Sequence, residues 1–240
     1  TPWGGVGLSL EGQGHLQRSF AGNAALRSPA LTGGGCEGKS LRFDGRFSFL
    51  NQKPVIDGPI AAALLNCPAI GLRLAEPNIA GNFRSTKTFD RWLGDARFSA
   101  RDARYGAHAL AKPVGTISFD GGRERTNYTV KLENSSYRGD AASIDRLGAD
   151  ATGDIRFGDR GFALSARGGA TLGKARADTP WLDGLSALAK NTAETPVGPV
   201  IAQLEPAFRG VLQAFTASFT YDAAIGDNRP AVAIINGLRL

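Results

Sequence analysis

The sequence of 240 residues contains no methionine, only two histidines and two cysteines, and no block of like charge. His15 and His108 are far apart and isolated among small and apolar residues, which does not indicate a histidine metal centre or a histidine base. The motifs of zinc proteases, serine hydrolases and calcium loops are missing too. We therefore expect a protein that is not an enzyme and that uses no metal or cofactor.

The sequence also has no apolar run of the roughly 20 residues that a membrane-spanning helix needs. It opens with Thr1-Pro2-Trp3, without an initiator methionine or a signal-peptide pattern, and it closes at Leu240 inside an alternating segment. We therefore expect residues 1–240 to be a fragment of a larger protein, with any targeting segment upstream.

Charge is mildly basic, with 28 Lys and Arg against 22 Asp and Glu and a net charge of +6. The excess is spread along the chain, whereas nucleic-acid-binding domains cluster their basic residues and interleave aromatic ones. We expect no nucleic-acid partner. Arg91, Arg97, Arg101 and Arg104 come nearest to a basic cluster, which is either a solvated strand face or a contact for phosphate, DNA or a lipid headgroup.

Strand signals dominate what is present. The 32 glycines and 12 prolines favour many turns. Leu41 to Phe49 alternates apolar residues with arginine, aspartate and serine, as a strand with one apolar side does. Weaker alternation recurs at Val6-Leu8-Leu10, Ile117-Phe119, Tyr128-Val130-Leu132, Ile155-Phe157, Phe162-Leu164, Phe219-Tyr221 and Val232-Ile234. The sequence therefore predicts a mainly β fold with an antiparallel meander over residues 1–177.

Helical periodicity is confined to short segments. A helix is predicted from Ile60 to Asn66, and a helical cap is predicted over residues 178–215, followed by return strands over 216–240. The cap is a short helical pair. Its second helix carries apolar residues three and four positions apart: Val200, Ile201, Leu204, Phe208, Val211, Leu212 and Phe215.

The segment Gly33 to Ser40 matches the phosphate-loop pattern of nucleotide-binding proteins. That chemistry needs a helix after the loop, whose first amide groups face the phosphates. The residues that follow Ser40 instead form the best strand of the chain. A glycine-rich turn is therefore the favoured interpretation, and nucleotide binding is the alternative.

Cys36 and Cys67 allow one intrachain pairing. In an exported protein they would form a disulfide, and in a cytosolic one they would be two buried thiols. Each cysteine lies beside turn-forming residues, where two loops can meet.

The chain resembles the periplasmic part of the YdbH family, which belongs with the AsmA-like and TamB-like proteins of Gram-negative bacteria. Three features carry the resemblance: glycine-punctuated strands with Phe, Leu and Ile on one face, the Cys67-Pro68 step after an apolar stretch, and residues 191–200 leading into an amphipathic helix and then strands. The resemblance implies a long, strongly curved, U-shaped β-sheet, which makes residues 1–240 a single β-groove.

Such a groove would hold phospholipid acyl chains and pass them between the inner and outer membranes. The resemblance also implies a periplasmic location in an inner-membrane-anchored protein and an outer-membrane lipoprotein partner bound by strand addition. A cysteine pair suits that oxidising compartment. The expected lipid-binding wall residues are Phe43, Phe47, Phe49, Ile117, Phe119, Val130, Leu132, Ile155, Phe157, Phe162 and Leu164. A structural or adhesive β-sandwich, in which the apolar faces pack on each other, is the alternative.

Overall fold

The computed structural model describes residues 3–15, 18–140, 142–158, 161–178, 183–184, 186–187, 190–191, 206, 210, 215–226 and 229–239. Strands hold 80% of the chain and helix 6%, so the prediction of a mainly β, antiparallel fold is confirmed. The seventeen strands of one sheet are β1 (Trp3–Gly4), β2 (Gly7–His15), β3 (Ser19–Gly33), β4 (Cys36–Leu50), β5 (Lys53–Ala61), β6 (Leu64–Cys67), β7 (Leu72–Ala75), β8 (Asn78–Ser85), β9 (Arg91–Ser99), β10 (Asp102–Tyr105), β11 (His108–Ala111), β12 (Val114–Gly122), β13 (Arg125–Arg138), β14 (Ala142–Gly158), β15 (Gly161–Ala177), β16 (Phe215–Gly226) and β17 (Arg229–Arg239).

Tight turns join neighbouring strands into a meander. Gly34 and Gly35, between β3 and β4, have φ angles of 58° and 76°, and Asn51 and Gln52, between β4 and β5, have φ angles of 52° and 63°. Two successive residues with positive φ give the turn that matches the right-handed twist of a hairpin. The glycine-rich segment therefore serves as a hairpin turn.

Several of the strands lie end to end. β3 pairs along one edge of β4, so β5 and β6, which both pair with β4, share its other edge. The pairs β7 and β8, β9 and β10, and β11 and β12 repeat this arrangement, and β1 and β2 share an edge of β3. Seventeen strands with five end-to-end pairs thus make twelve rows.

The pairings close into a ring of ten strands, in the order β4, β5, β8, β9, β12, β13, β11, β10, β7 and β6. This ring surrounds the points where the end-to-end strands meet. Backbone hydrogen bonds continue across those points, from the amide of Ala63 to the carbonyl of Lys39 and from the amide of Glu76 to the carbonyl of Ala63, each at 2.9 Å.

A line of interruptions, which we call the crease, crosses the sheet at these points. Its members share a positive φ angle although none is glycine: Ser40, Glu76, Lys112, Asn134 and Lys174. A residue in this conformation interrupts the alternation of side chains along a strand. A Cβ atom added at Gly38 would lie 2.5 Å from Cδ1 of Leu41, so these two residues point to the same side although three positions separate them. The crease therefore shifts the alternation by one residue.

Almost nothing in this sheet is deeply buried. The accessible surface is 15873 Å², whereas a compact protein of 25.1 kDa exposes about 10,000 Å². Among the described residues, the buried apolar ones are few and mostly small: Ala24, Ala61, Cys67, Ile144, Ala170, Ala175 and Ala217. The described strands form a single layer, because their substantial contacts join hydrogen-bonded neighbours.

Two of the helix predictions can be checked. The predicted helix from Ile60 to Asn66 is wrong, because Ile60 lies in β5 and Leu64 to Cys67 form β6. The crease crosses this segment and breaks the period of two, which produced a false helical spacing. Phe215 was expected to end the helical cap, and this is also wrong, because it is the first residue of β16.

No helical pair is shown over residues 178–215. The described residues of that segment that are helical are 183–184, 186–187, 190–191, 206 and 210. The remaining predicted cap residues lie outside the described residues: Val200, Ile201, Leu204, Phe208, Val211 and Leu212. The cap therefore stays a prediction.

A disulfide joins Cys36, the first residue of β4, to Cys67, the last residue of β6. The neighbouring residues Glu37 and Asn66 are directly opposed, which brings the two cysteines face to face with their Cα atoms 4.0 Å apart. The bond ties the crease-interrupted row of β5 and β6 to the long strand β4.

We expect the Cys36→Ser, Cys67→Ser variant to be less stable than the wild type by about 3–4 kcal/mol, because the bond closes a loop across a separation of 31 residues. Urea unfolding measures this loss. Reductant should lower the wild-type midpoint and leave that of the variant unchanged; equal midpoints for both proteins under oxidising conditions would contradict the prediction.

Candidate functional site

The two sides of the sheet follow from strand register, because directly opposed residues of antiparallel strands project to the same side. Phe43 in β4 is opposed by Leu26 in β3 and by Ile60 in β5. Ile60 is in turn opposed by Ile79 in β8, and Ile79 by Phe98 in β9. One apolar residue thus follows another across five strands.

The same side continues to the last strand. Ile117 and Val130 are opposed, and Leu164 in β15 is opposed by Ile155 in β14. We call this side the apolar face. The crease divides this face into two halves. In the half that contains β2, β5, β8, β9 and β12, its larger members are Leu8, Leu10, Phe20, Leu26, Leu41, Phe43, Phe47, Phe49, Ile56, Ile60, Ile79, Phe83, Trp92, Phe98, Ile117, Phe119, Tyr128, Val130, Leu132, Ile155, Phe157, Leu164, Phe219, Tyr221 and Ile235.

The apolar face also continues beyond the crease. Opposed pairs lead from Gly38, which shares a side with Leu41, through Leu65, Leu74 and Leu110 to Ile144. Because the rows from β3 to β15 shift their alternation at the crease, both halves present apolar residues on the same side.

Register places all eleven predicted wall residues on this one face: Phe43, Phe47, Phe49, Ile117, Phe119, Val130, Leu132, Ile155, Phe157, Phe162 and Leu164. Phe162 is placed by its backbone pairing with Phe157. Sequence reasoning missed several equally placed residues, among them Ile56, Ile79, Phe83 and Phe98. Their segments are short and interrupted by glycine or by the crease, so alternation alone gave no clear signal.

The apolar face is open to solvent at many points. Leu8 is 61% exposed, Ile60 52%, Phe157 48% and Ile79 47%. Isolated exposed apolar side chains are normal, but a contiguous set marks a site that binds a partner or a ligand. No described strand packs against this face.

Aromatic rings lie over glycines on this face. Phe83 and Phe119 flank Gly94 in the strand between them, and their ring centroids are 6.3 Å apart. A Cβ atom at Gly94 would lie 2.7 Å from the ring of Phe119. The missing side chain thus makes room for a ring that lies along the sheet.

Glycines on the two faces differ in how closely the neighbouring strand approaches. On the apolar face, a Cβ atom at Gly168 would lie 1.8 Å from the carbonyl oxygen of Asp150, and at Gly81 and Gly115 the nearest carbonyl would be 2.1 Å away. On the opposite face, the nearest atoms would be 3.8 Å from Gly7 and 3.4 Å from Gly169. At Gly122, which ends β12 on the polar face, the carbonyl oxygen of Asp90 would be 2.4 Å away. Away from this strand end, neighbouring strands come closer on the apolar side than a side chain permits.

The opposite face, which we call the polar face, is connected by cross-strand ion pairs. Arg27 Nη2 donates to both carboxylate oxygens of Asp44, at 2.6 and 2.8 Å, and Arg46 Nη2 donates to Asp57 at 2.8 Å. Each exposed ion pair of this kind stabilises the fold by at most about 1 kcal/mol. Their main effect is on register, since a slip of one residue would separate every pair.

Asp154 is the most buried acid of the polar face. Its carboxylate accepts hydrogen bonds from the Ser165 hydroxyl and the Arg156 guanidinium, both at 2.8 Å, and from Arg125 at 3.3 Å. The Ser165 hydrogen bond contributes most to lowering its pKa below the usual value, with Arg156 and Arg125 adding to the effect. A carboxylate with these three hydrogen bonds holds β13, β14 and β15 together.

The segment with the phosphate-loop pattern lacks the geometry for nucleotide chemistry. Gly34 and Gly35 form the hairpin turn, Lys39 and Ser40 lie within β4, and Lys39 is 3.4 Å from Glu37. No helix begins after Ser40. In the part of the chain that the structure describes, no cluster of three His, Cys, Asp or Glu residues could hold a metal ion.

None of the helical residues described belongs to a helix long and apolar enough to cross a membrane. Comparison of the chain with protein-family models, with curated proteins and with solved structures gives no match.

Two neighbouring glycines test the close approach of strands on the apolar face. We expect Gly168→Ala to destabilise the protein by about 1–3 kcal/mol, since its methyl group would overlap the backbone of β14. Gly169→Ala, the matched control on the polar face, should be neutral or slightly stabilising, because alanine loses less backbone entropy than glycine. Urea unfolding measures both, and equal effects of the two substitutions would refute the asymmetry.

Proposed function

We propose that the apolar face binds the acyl chains of phospholipids and that the protein is a lipid carrier without enzymatic activity. One observation carries the proposal: a continuous apolar face runs from β2 to β17, its large side chains are partly exposed, and no described strand covers it. Exposed apolar patches above a few hundred Å² mark binding sites in soluble proteins.

Acyl chains suit this face better than a polar ligand does. Its members are aliphatic and aromatic, while the charged residues that form ion pairs, such as Arg46 and Asp57, lie on the other side. Burying hydrocarbon contributes about 0.8 kcal/mol per methylene, so a long acyl chain gains several kcal/mol without any directed polar contact. Because the aromatic rings lie over glycines, the apolar face is shallow there, and an acyl chain can lie along it.

The sheet on this proposal is a groove whose apolar face is concave. The close approach of strands at Gly81, Gly115 and Gly168 supports bending toward that side, since strands crowd together on the inside of a bend. Passage of lipid along the groove between the inner and outer membranes, a periplasmic location and an inner-membrane anchor belong to the same proposal. The resemblance to the YdbH family supports them, and the Cys36–Cys67 disulfide suits an oxidising compartment.

Strand addition by an outer-membrane lipoprotein remains part of the proposal. Among the described strands, β2 and β17 each have a single hydrogen-bonded neighbour. An unpaired edge of this kind can accept a further strand.

The competing function is a structural or adhesive β-sandwich. A sandwich needs a second sheet whose apolar side packs on the first. The seventeen described strands belong to one sheet and make their substantial contacts with hydrogen-bonded neighbours, which favours lipid over a protein layer.

Two adjacent residues of β5 separate these functions, because Ile56 lies on the apolar face and Val55 on the polar face. We expect Ile56→Asp to lower the amount of bound phospholipid at least several-fold, since burying a carboxylate against an acyl chain is strongly unfavourable. Val55→Asp, the matched control, should keep wild-type loading, because its carboxylate would lie opposite Arg84. Native mass spectrometry and lipid extraction of protein purified from envelope-containing cells measure loading.

Urea unfolding of both variants shows whether either one has simply unfolded. Lipid-free wild-type protein with a cooperative transition, together with unfolding of Ile56→Asp, would favour the sandwich and contradict the proposal.

A further inference from the structure

Basic residues gather at one end of the strands. The turns at this end join β2 to β3, β4 to β5, β8 to β9 and β12 to β13. These turns carry Arg18, Lys87 and Arg123, and Lys53 begins β5 directly after its turn; we call these four exposed residues the basic lip. The acids of the same turns are Asp90 and Glu124, so the described part of this lip holds four cations against two acids.

The turns at the other end of the strands differ in charge. Gly34-Gly35, Pro68 to Gly71, Gly106-Ala107 and Gly139-Asp140 contain no lysine or arginine in the described part of the chain. At this end Arg138, the last residue of β13, stands beside Asp140, so these described residues carry no excess of cations. The sheet thus has one end with an excess of cations and one end without it, although the polar face between them carries paired charges of both signs.

The geometry of the lip leaves its cations available. Arg123 reaches the adjacent turn, where Nη2 donates to the carbonyl oxygen of Thr88 at 2.7 Å, and this contact neutralises no charge. Asp90 accepts the hydroxyl hydrogen bond of Thr86 in its own turn, and this bond lowers its pKa below the usual value. Lys53 and Lys87 form no ion pair with another described residue.

We propose that the basic lip binds the phosphate group of lipids whose acyl chains lie on the apolar face, so that the ligand class is phosphate-headed diacyl lipid; this rests on the proposed function. A charged headgroup cannot lie on an apolar surface without a large desolvation cost, so it must sit where the apolar face ends. The strand ends are that boundary, and among the described residues only the basic lip has more cations than acids.

The spacing of the lip suits several headgroups in a row. Arg18 precedes β3, Lys53 begins β5, and Lys87 and Arg123 lie in the turns after β8 and β12. With neighbouring strands about 4.8 Å apart, the span from β3 to β12 across β4, β5, β8 and β9 is roughly 24 Å. Phosphates held along this line would keep the attached acyl chains parallel to the strands.

The test compares two double variants that remove the same charge. Lys53→Gln, Lys87→Gln alters the lip, while Arg84→Gln, Arg97→Gln alters the polar face, where neither arginine has an ion-pair partner among the described residues. Uptake from vesicles is measured for phosphatidylglycerol and for diacylglycerol with the same acyl chains. Glycerol phosphate, which has no acyl chains, serves as a competitor.

We expect the lip variant to lose phosphatidylglycerol affinity by roughly fivefold per removed charge and to take up diacylglycerol unchanged. The polar-face variant should bind both lipids as the wild type does, and glycerol phosphate should not displace phosphatidylglycerol. Equal loss in both variants, no loss in either, or full displacement by glycerol phosphate would overturn the proposal. Uptake of neither lipid by the wild type would instead contradict the proposed function, and the lip proposal with it.

Discussion

Opposed residues in an antiparallel sheet share a side, so a single register has to hold across twelve rows for one face to stay apolar. Ion pairs such as Arg27–Asp44 and Arg46–Asp57 keep that register from the polar side, because each joins residues that are opposed or nearly so. The crease meets the same constraint along the strands. The rows from β3 to β15 shift together at the crease, so the apolar side is not inverted where β5 gives way to β6.

A sheet built under this constraint is a single layer that has no hydrophobic core of its own. A one-layer sheet buries little apolar surface, and here the buried apolar residues are mostly alanines. Hydrogen bonding, the disulfide and the polar-face network around Asp154 hold the sheet together, while its apolar side is left for a ligand. Glycines also shape the apolar side. Gly94 leaves room for an aromatic ring, and Gly168 lets the neighbouring strand approach more closely than a side chain would allow.

Alternation in the sequence predicts the strands and one face well where it is unbroken, as from Leu41 to Phe49. It fails at Ile60, where the crease shifts the period and imitates helical spacing. Ile79 and Phe83 were missed because a glycine stands between them and removes the third apolar member of the pattern. The sequence of one strand does not show how it pairs with its neighbours. That the eleven predicted wall residues lie on a single face therefore follows only from the strand pairings of the structure. The glycine-rich phosphate-loop match resembles a real motif letter by letter, yet the hairpin at Gly34-Gly35 leaves no helix to bind an anion.

The central claim is that acyl chains lie on the apolar face and not merely near the protein. It is tested most directly with a phospholipid that carries a photoreactive diazirine in its acyl chain, followed by mass spectrometric assignment of the modified residues. We predict labels at alternate positions of β4, on Phe43 and Phe47 but not on Arg42, Arg46 or Ser48. Labels distributed equally over both faces, or found only at the edge strands β2 and β17, would contradict it.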